Sequence, residues 1–279
     1  VIARLPWFRE TKLGFTLLTQ PPLTQSLGPS FDPLILGNDS AKKFGIEKKL
    51  TEELLEKLPE HDYFQQNFSI KINNWLPWYW KGYEQTTRYT YILKNITDLD
   101  RVWDGMQSST RRQVRKAKKR GVEIVSDLSI DLFIELHEKT FYRQNKKLPY
   151  SKNLIAQLDG ACEKKGARKI FFAQDQKSNL HAAVYLVWNK DSAWYLMGGG
   201  DPLYRDSGAY SLALWEAIKF ASTVTKSFDF EGSMIEPIEH FFRGFGGFPT
   251  PYFQVKKTNN RLLSFAQQGR KIIMNPNRN

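Results

Sequence analysis

The segment best equipped for chemistry reads Phe228-Asp229-Phe230-Glu231-Gly232. Side chains alternate along a strand, so Phe228 and Phe230 are expected to face a core, with Asp229 and Glu231 sharing the other face. Two carboxylates on one face can act as a general base. A lysine-like amine, with a pKa of about 10.4, is mostly protonated at neutral pH. A positioned carboxylate that removes its proton contributes about 10²–10⁴ in rate. An ordinary half-buried strand with one wet face has the same pattern. A second segment, Met197-Gly198-Gly199-Gly200-Asp201-Pro202, places three glycines at a strand end. Glycines there let backbone approach a ligand or part a strand from its neighbour. They do not have the G-x-G-x-x-G spacing of a dinucleotide site.

Arg205-Asp206-Ser207-Gly208-Ala209-Tyr210 then opens a strongly apolar helix. Backbone N–H groups at a helix start have no partner within the helix, and the helix dipole draws anions there. Arg205 adds a charge-assisted contact to a phosphate. Gly198 and Gly199 are therefore candidates to border a ligand, and Arg205, Ser207, Gly208 and Ala209 to hold an anion such as a phosphate. A plain cap, with Ser207 at the N-cap and Gly208 first in the helix, fits equally well. Residues 111–120 carry seven basic positions on a helix of their own. Val114 and Ala117 give it a packing side, and Arg111, Arg115 and Lys118 or Lys119 lie on another. That side either grips a nucleotide or tRNA backbone or is simply solvated.

Other chemistry lacks its usual signals. His61, His137, His181 and His240 form no metal-type pair, and neither G-x-S-x-G nor a P-loop occurs. Cys162 lies in an amphipathic helix, where a structural thiol is the plainer reading. No metal and no tightly bound cofactor are expected.

These groups need a scaffold. The 279 residues hold 41 Lys+Arg against 29 Asp+Glu, a formal charge of +12, which favours polyanionic partners. Hydrophobic residues make up 41% and aromatics 14%, enough for a substantial core. The longest apolar run, residues 182–188, is far short of the roughly 20 needed to span a bilayer, so no integral membrane association is expected. A lone cysteine suits a reducing, cytoplasmic setting. No leader is visible, and the chain opens at Val1 inside a strand, which suggests an upstream piece.

Strands are expected at 1–8, 15–19, 68–72 and 87–93, with an ordered Pro/Gly loop over 20–37. Helices are expected at 47–58 and 75–83, and the cluster Trp75, Trp78 and Trp80 lines either an acceptor groove or a core. Helices follow at 98–106, 109–120, 130–144, 153–165, 209–222 and 237–242. Strands follow at 122–125, 169–174, 181–188, 192–197, 227–231 and 252–257. The tail from Leu262 is expected to be helical before it frays, with a looser basic group in Arg270, Lys271 and Arg278. The order of elements rhymes between the halves. The fold class is therefore α/β, with two mixed-sheet units in tandem: 1–97, incomplete at its start, and 98–279.

Four blocks in order carry a family resemblance. They are Ser109-Thr110-Arg111-Arg112-Gln113-Val114-Arg115-Lys116-Ala117 with Gly121-Val122, then Gly208-Ala209 opening Leu214-Trp215-Glu216-Ala217-Ile218. Phe228-Asp229-Phe230-Glu231-Gly232-Ser233 and Phe241-Phe242-Arg243-Gly244-Phe245-Gly246-Gly247 follow. Together they resemble the FemAB-type branch of the GNAT acyltransferases, and the loop Pro21-Pro22-Leu23-Thr24-Gln25 resembles bacterial members. The resemblance implies two GNAT-like units and transfer of an acyl or aminoacyl group to an amine, with acyl-CoA or aminoacyl-tRNA as co-substrate. Asp229 or Glu231 would then accept the amine proton, and Arg111, Arg115, Tyr210 and Arg243 would contact substrate. Arg205-x-x-Gly208 fits the family's CoA-pyrophosphate turn, but Tyr210 stands where the family has Gly or Ala. Phe241-Phe242 stands where the peptidoglycan-bridge ligases have Phe-Lys, and no helical-hairpin arm is inserted. Aminoacyl-tRNA-dependent transfer to a cell-wall precursor is the alternative among the enzymes, and a non-catalytic module that binds a nucleotide or another polyanion is the alternative from outside them.

Overall fold

The computed structural model describes residues 1–37, 39–126, 128–232 and 234–266. Ser233 and the basic tail positions Arg270, Lys271 and Arg278 lie outside the described residues. In chain order come β1 (Ala3–Arg4), β2 (Phe8–Lys12), β3 (Phe15–Thr19), β4 (Ser30–Phe31), α1 (Pro33–Leu36) and α2 (Ser40–Glu56). β5 (Tyr63–Asn67), α3 (Leu76–Trp80), β6 (Glu84–Leu93), α4 (Leu99–Gly105) and α5 (Ser108–Lys119) follow. Next are β7 (Glu123–Ser126), α6 (Ile130–Tyr142), α7 (Lys152–Glu163), β8 (Arg168–Gln174), β9 (Leu180–Trp188) and β10 (Ala193–Gly200). A 3-10 turn (Pro202–Ser207) leads into α8 (Ala209–Val224), β11 (Phe228–Asp229), α9 (Glu236–Arg243) and β12 (Phe248–Thr258).

Two compact units result: Val1–Arg88 with the chain from Pro251 on, and Tyr89–Thr250. The sequence placed the break at residue 97 and gave the last strand to the second unit. Two long strands explain the difference. β6 begins well before that break, and its last residues pair with β11 (Phe228↔Leu93). The end of β12 pairs with β5 (Gln254↔Asn67 to Thr258↔Tyr63).

In the first unit, β2 and β3 form a hairpin, β3 runs parallel to β5, and β5 is antiparallel to β12. β5 lies five residues earlier than the expected strand at 68–72. Its inward positions are Phe64 and Gln66, both fully buried, and a polar inward residue hides the alternation. Gln66 Nε2 donates to the carbonyl of Pro6 at 2.8 Å. Trp78 is fully buried against Phe64, Phe68 and Tyr83, with centroids 4.9–5.4 Å away, so it is core. Trp80 is exposed, with the Lys48 ammonium 5.2 Å from its ring.

In the second unit, β7, β8, β9 and β10 form an antiparallel meander. β11 joins β10 in parallel and β6 antiparallel. Alternation along β9 feeds two helical layers. Val184 and Leu186 belong to the core built with Leu214 and Ile218 of α8, whereas Tyr185 meets Phe133 of α6 at 5.4 Å. Val114 and Ala117 seat α5 in the same core as α8. Among the described residues no helix is long and apolar enough to cross a membrane. Ile218 has no exposed surface. Ile218→Ala should therefore lower the unfolding free energy by about 2–5 kcal/mol, read as an earlier midpoint in urea.

Candidate active site

The site begins where two strands part. β10 and β11 pair only at Ala193↔Phe228 and Trp194↔Asp229. Past Asp229 the chain stays with β6, as the Phe230 amide donates to the Tyr91 carbonyl at 2.9 Å. β10 instead continues along β9 to Gly200, with an irregularity between Tyr195 and Met197. The expected strand at 227–231 is thus cut short. Glu231 and Gly232 both take positive φ, +57° and +55°. A Cβ on Gly232 would collide with the backbone of Thr90, which fixes that position as glycine. Asp229 and Glu231 therefore do not share a flat strand face. The turn keeps them together: the Glu231 amide donates to Asp229 Oδ1 at 2.8 Å.

The carboxylates sit in unfavourable surroundings for charge. Asp229 is buried and accepts from Thr90 Oγ1. Burial pushes its pKa up to about 6, against the pull of the Thr90 hydroxyl and the Glu231 amide. Glu231 is raised well above the usual carboxylate range by burial and by the charge of Asp229. Together they retain a proton to higher pH than an ordinary carboxylate pair would.

Hydroxyls and an imidazole crowd the other side of the fork. Tyr195 and Tyr210 hydrogen-bond to each other through their hydroxyls. A Cβ on Gly198 would collide with both of those oxygens. One on Gly199 would lie 2.5 Å from the backbone N of His137. The glycine run thus admits the tyrosines at Gly198 and helix α6 at Gly199. His137 is buried, with Nδ1 at 2.7 Å from the Gly198 carbonyl oxygen and Nε2 at 2.8 Å from Tyr150 Oη. Burial lowers its pKa. Burial also pushes Tyr150 and Tyr210 up to about 12, and for Tyr150 the charge of Glu231 adds to the shift.

Sequence comparison identifies residues 106–233 through the family model described as acetyltransferase (GNAT) domain. The match covers 128 of the 279 residues. A search of curated proteins returns no match. Among solved structures the chain resembles FemX, with a TM-score of 0.65, 13% identity, and 88% of this chain and 82% of that one covered. It also resembles L-PGS from Bacillus licheniformis, with a TM-score of 0.56, 10% identity, and 97% and 86% covered. A tandem GNAT protein from the clavulanic acid biosynthesis pathway gives a TM-score of 0.50, 9% identity, and 88% and 75% covered. The fold is the mixed α/β architecture of tandem GNAT-like proteins.

Within the matched segment the turn before α8 is built tightly. Ser207 is buried, and its hydroxyl accepts from the Ala209 amide at 3.1 Å. Gly208 takes φ +80°, and a Cβ there would collide with the Gln113 carbonyl of α5. Arg205 is exposed on this turn. A separate cavity of about 220 Å³, lined in part by Glu135, Lys139, Asp201 and Tyr204, lies beside the same turn, and neither Asp229 nor Glu231 lines it.

The expected substrate cations have work inside the fold. Arg111 donates from Nη1 to the carbonyls of Trp103 and Asp104 at 3.2 and 2.8 Å, closing the end of α4. The Arg115 guanidinium lies 5.5 Å from the centre of the Trp103 ring. Arg243 pairs with Glu239 at 2.8 Å, and Glu239 also accepts from Tyr91 Oη at 2.5 Å. Phe242, at the position of the ligases' lysine, is buried against Tyr195, Phe230 and Phe241. Tyr210 joins the hydroxyl cluster and meets Phe241 edge-on at 5.6 Å. Thr90, His137, Tyr150 and Tyr195 carried no site signal in the sequence, since each acts through a partner distant along the chain.

The raised pKa of Asp229 has a stability consequence. The folded state holds this proton more tightly than the unfolded chain, so the contribution is full below pH 4 and is lost as pH rises through about 6. Urea unfolding between pH 4 and 7 should show a decline of about 3 kcal/mol in the wild type relative to Asp229→Asn.

Proposed function

We propose that the chain is an N-acyltransferase in which an amine attacks a bound acyl donor directly. The observation that carries this reading is the fork between β10 and β11, with Asp229 and Glu231 at its apex inside the segment that matches the GNAT model. The register with β11 ends at Trp194, so the β10 edge beyond it offers backbone groups to a donor's carbonyl. In this reading Gly198 and Gly199 border the donor, and Arg205, Ser207, Gly208 and Ala209 meet its phosphates. The ionised member of the Asp229–Glu231 pair takes the first proton from the incoming ammonium. Burial in a low-dielectric fork makes that carboxylate more basic than one in water, bringing it nearer the operating pH. Backbone dipoles aimed at the carbonyl oxygen stabilise the charge that develops there.

Acyl-CoA and an aminoacyl ester on tRNA are the two donor classes. The second is favoured by the exposed basic residues Arg112 and Lys119 of α5, beside Arg111 and Arg115, which the fold uses. Titration calorimetry with acetyl-CoA, longer acyl-CoA and aminoacyl-tRNA separates them. A tRNA donor should give an affinity that falls steeply with salt, and a flat dependence would exclude it. Product masses across an amine panel identify the acceptor. Glu231→Gln should lower kcat about 10²–10⁴-fold and leave the donor Kd unchanged. Undiminished turnover would remove Glu231 from the reaction, and donor binding without product in any pairing would favour a binding module.

A further inference from the structure

The proton on His137 can be placed from its partners. The Gly198 carbonyl oxygen can only accept, so Nδ1 carries the hydrogen in the 2.7 Å contact. Burial keeps the ring neutral, which leaves Nε2 as an acceptor, and the Tyr150 hydroxyl donates to it at 2.8 Å. The ring is held between Phe133, stacked at 5.6 Å, and Phe141, edge-on at 5.1 Å. Its orientation is therefore fixed by packing as well as by two hydrogen bonds. Tyr150 commits its own hydrogen inward, so its oxygen turns lone pairs outward. Tyr150 is half-buried, and Glu231 and Tyr195 both interact with it electrostatically. Glu138 on α6 also acts on His137 and is bridged to Lys152 at 2.7 Å, and Arg143 acts on the neighbouring Tyr210.

We propose that Tyr150 and His137 form a proton relay that moves the second proton of the attacking nitrogen to the departing group. This rests on the acyl-transfer reading above. The ammonium loses one proton to the Asp229–Glu231 pair, and its nitrogen then forms a C–N bond while the carbonyl becomes an alkoxide. The nitrogen now carries one proton too many for an amide. Tyr150 Oη takes it as the tyrosine's own hydrogen passes to His137 Nε2, giving an imidazolium held by the Gly198 carbonyl. The alkoxide re-forms its double bond, and the bond to the donor's sulfur or oxygen breaks with its electron pair. That atom takes the proton back through Tyr150, leaving His137 neutral. Tyr150 never needs to stand as a phenolate, which its raised pKa would forbid. His137 acts only through Tyr150 and is a positioning residue of the relay.

Two variants and one spectroscopic measurement test this. Tyr150→Phe removes the hydroxyl. His137→Gln retains an acceptor for it but cannot take up a proton. Each should lower kcat by about 10²-fold or more, with donor Kd unchanged and the protein still folded at the assay temperature. The double variant should be no slower than the worse single, and the proton inventory in mixed H₂O/D₂O should change from curved to linear. A folded single variant within twofold of wild-type kcat overturns the relay. Nitrogen NMR of the wild type reads His137 without turnover. The Nδ1–H tautomer with a midpoint below about 6.5 is expected, and Tyr150→Phe should move the Nε2 shift. An Nε2–H tautomer or a midpoint above that value overturns the relay even if the enzyme is active. The expected NMR result with no product from any donor and amine would instead defeat the acyl-transfer reading, and the relay with it.

Discussion

The structure turns on one backbone event: β11 leaves β10 after two paired residues and follows β6 alone. A parallel pair that ran on would close the sheet over the place where the carboxylates now gather. Once it parts, no strand among the described residues pairs with that edge of β10 past Trp194, and the chain must turn sharply to stay with β6. Two consecutive left-handed residues, Glu231 and Gly232, make that turn. A non-glycine residue tolerates such a φ only where its surroundings impose it. Here the Phe230 amide on Tyr91 and the Glu231 amide on Asp229 do so from both ends. The aromatic core of Phe228, Phe230, Phe242 and Phe245 anchors the turn from beneath.

Burial sets the chemistry of the groups the fork collects. Asp229 is held by a hydroxyl and an amide rather than by a cation, so desolvation dominates and its carboxyl stays protonated further up the pH scale. The same desolvation lowers His137 and raises Tyr150, driving each toward its neutral form. The groups around Gly198 therefore meet as hydrogen-bonding partners of opposite preference, one tending to keep a proton and the other to give it up. Groups pushed apart in this way are the usual signature of acid–base work.

The basic helix shows how tertiary structure redistributes charge. Arg111 and Arg115 belong to the cationic side of α5, yet the carbonyls at the end of α4 hold one and the Trp103 ring lies beneath the other. Lys118 faces Glu216 at 3.7 Å, and Arg120 donates to the Asp206 carbonyl at 2.9 Å. Much of the positive run thus ties α5 to α4, to α8 and to the turn before it. A charge run read without its neighbours overstates what remains for a ligand.

The element order, the tandem architecture and the carboxylates of the 228–232 segment are legible in the chain, because periodicity and turn residues are local properties. The strand at Tyr63–Asn67 is not, since Gln66 occupies an inward position and finds its partner at Pro6, 60 residues away. The run Gly198–Gly200 reads as a strand end but continues β10, its missing side chains leaving room for Tyr195, Tyr210 and α6. The bond between His137 and Gly198 joins residues 61 apart. Sequence alone thus determined which residue types were present and which helices and strands would carry them. Only the packed fold decided which of those groups meet, because hydrogen bonds and desolvation act through space and depend on neighbours that chain order does not name.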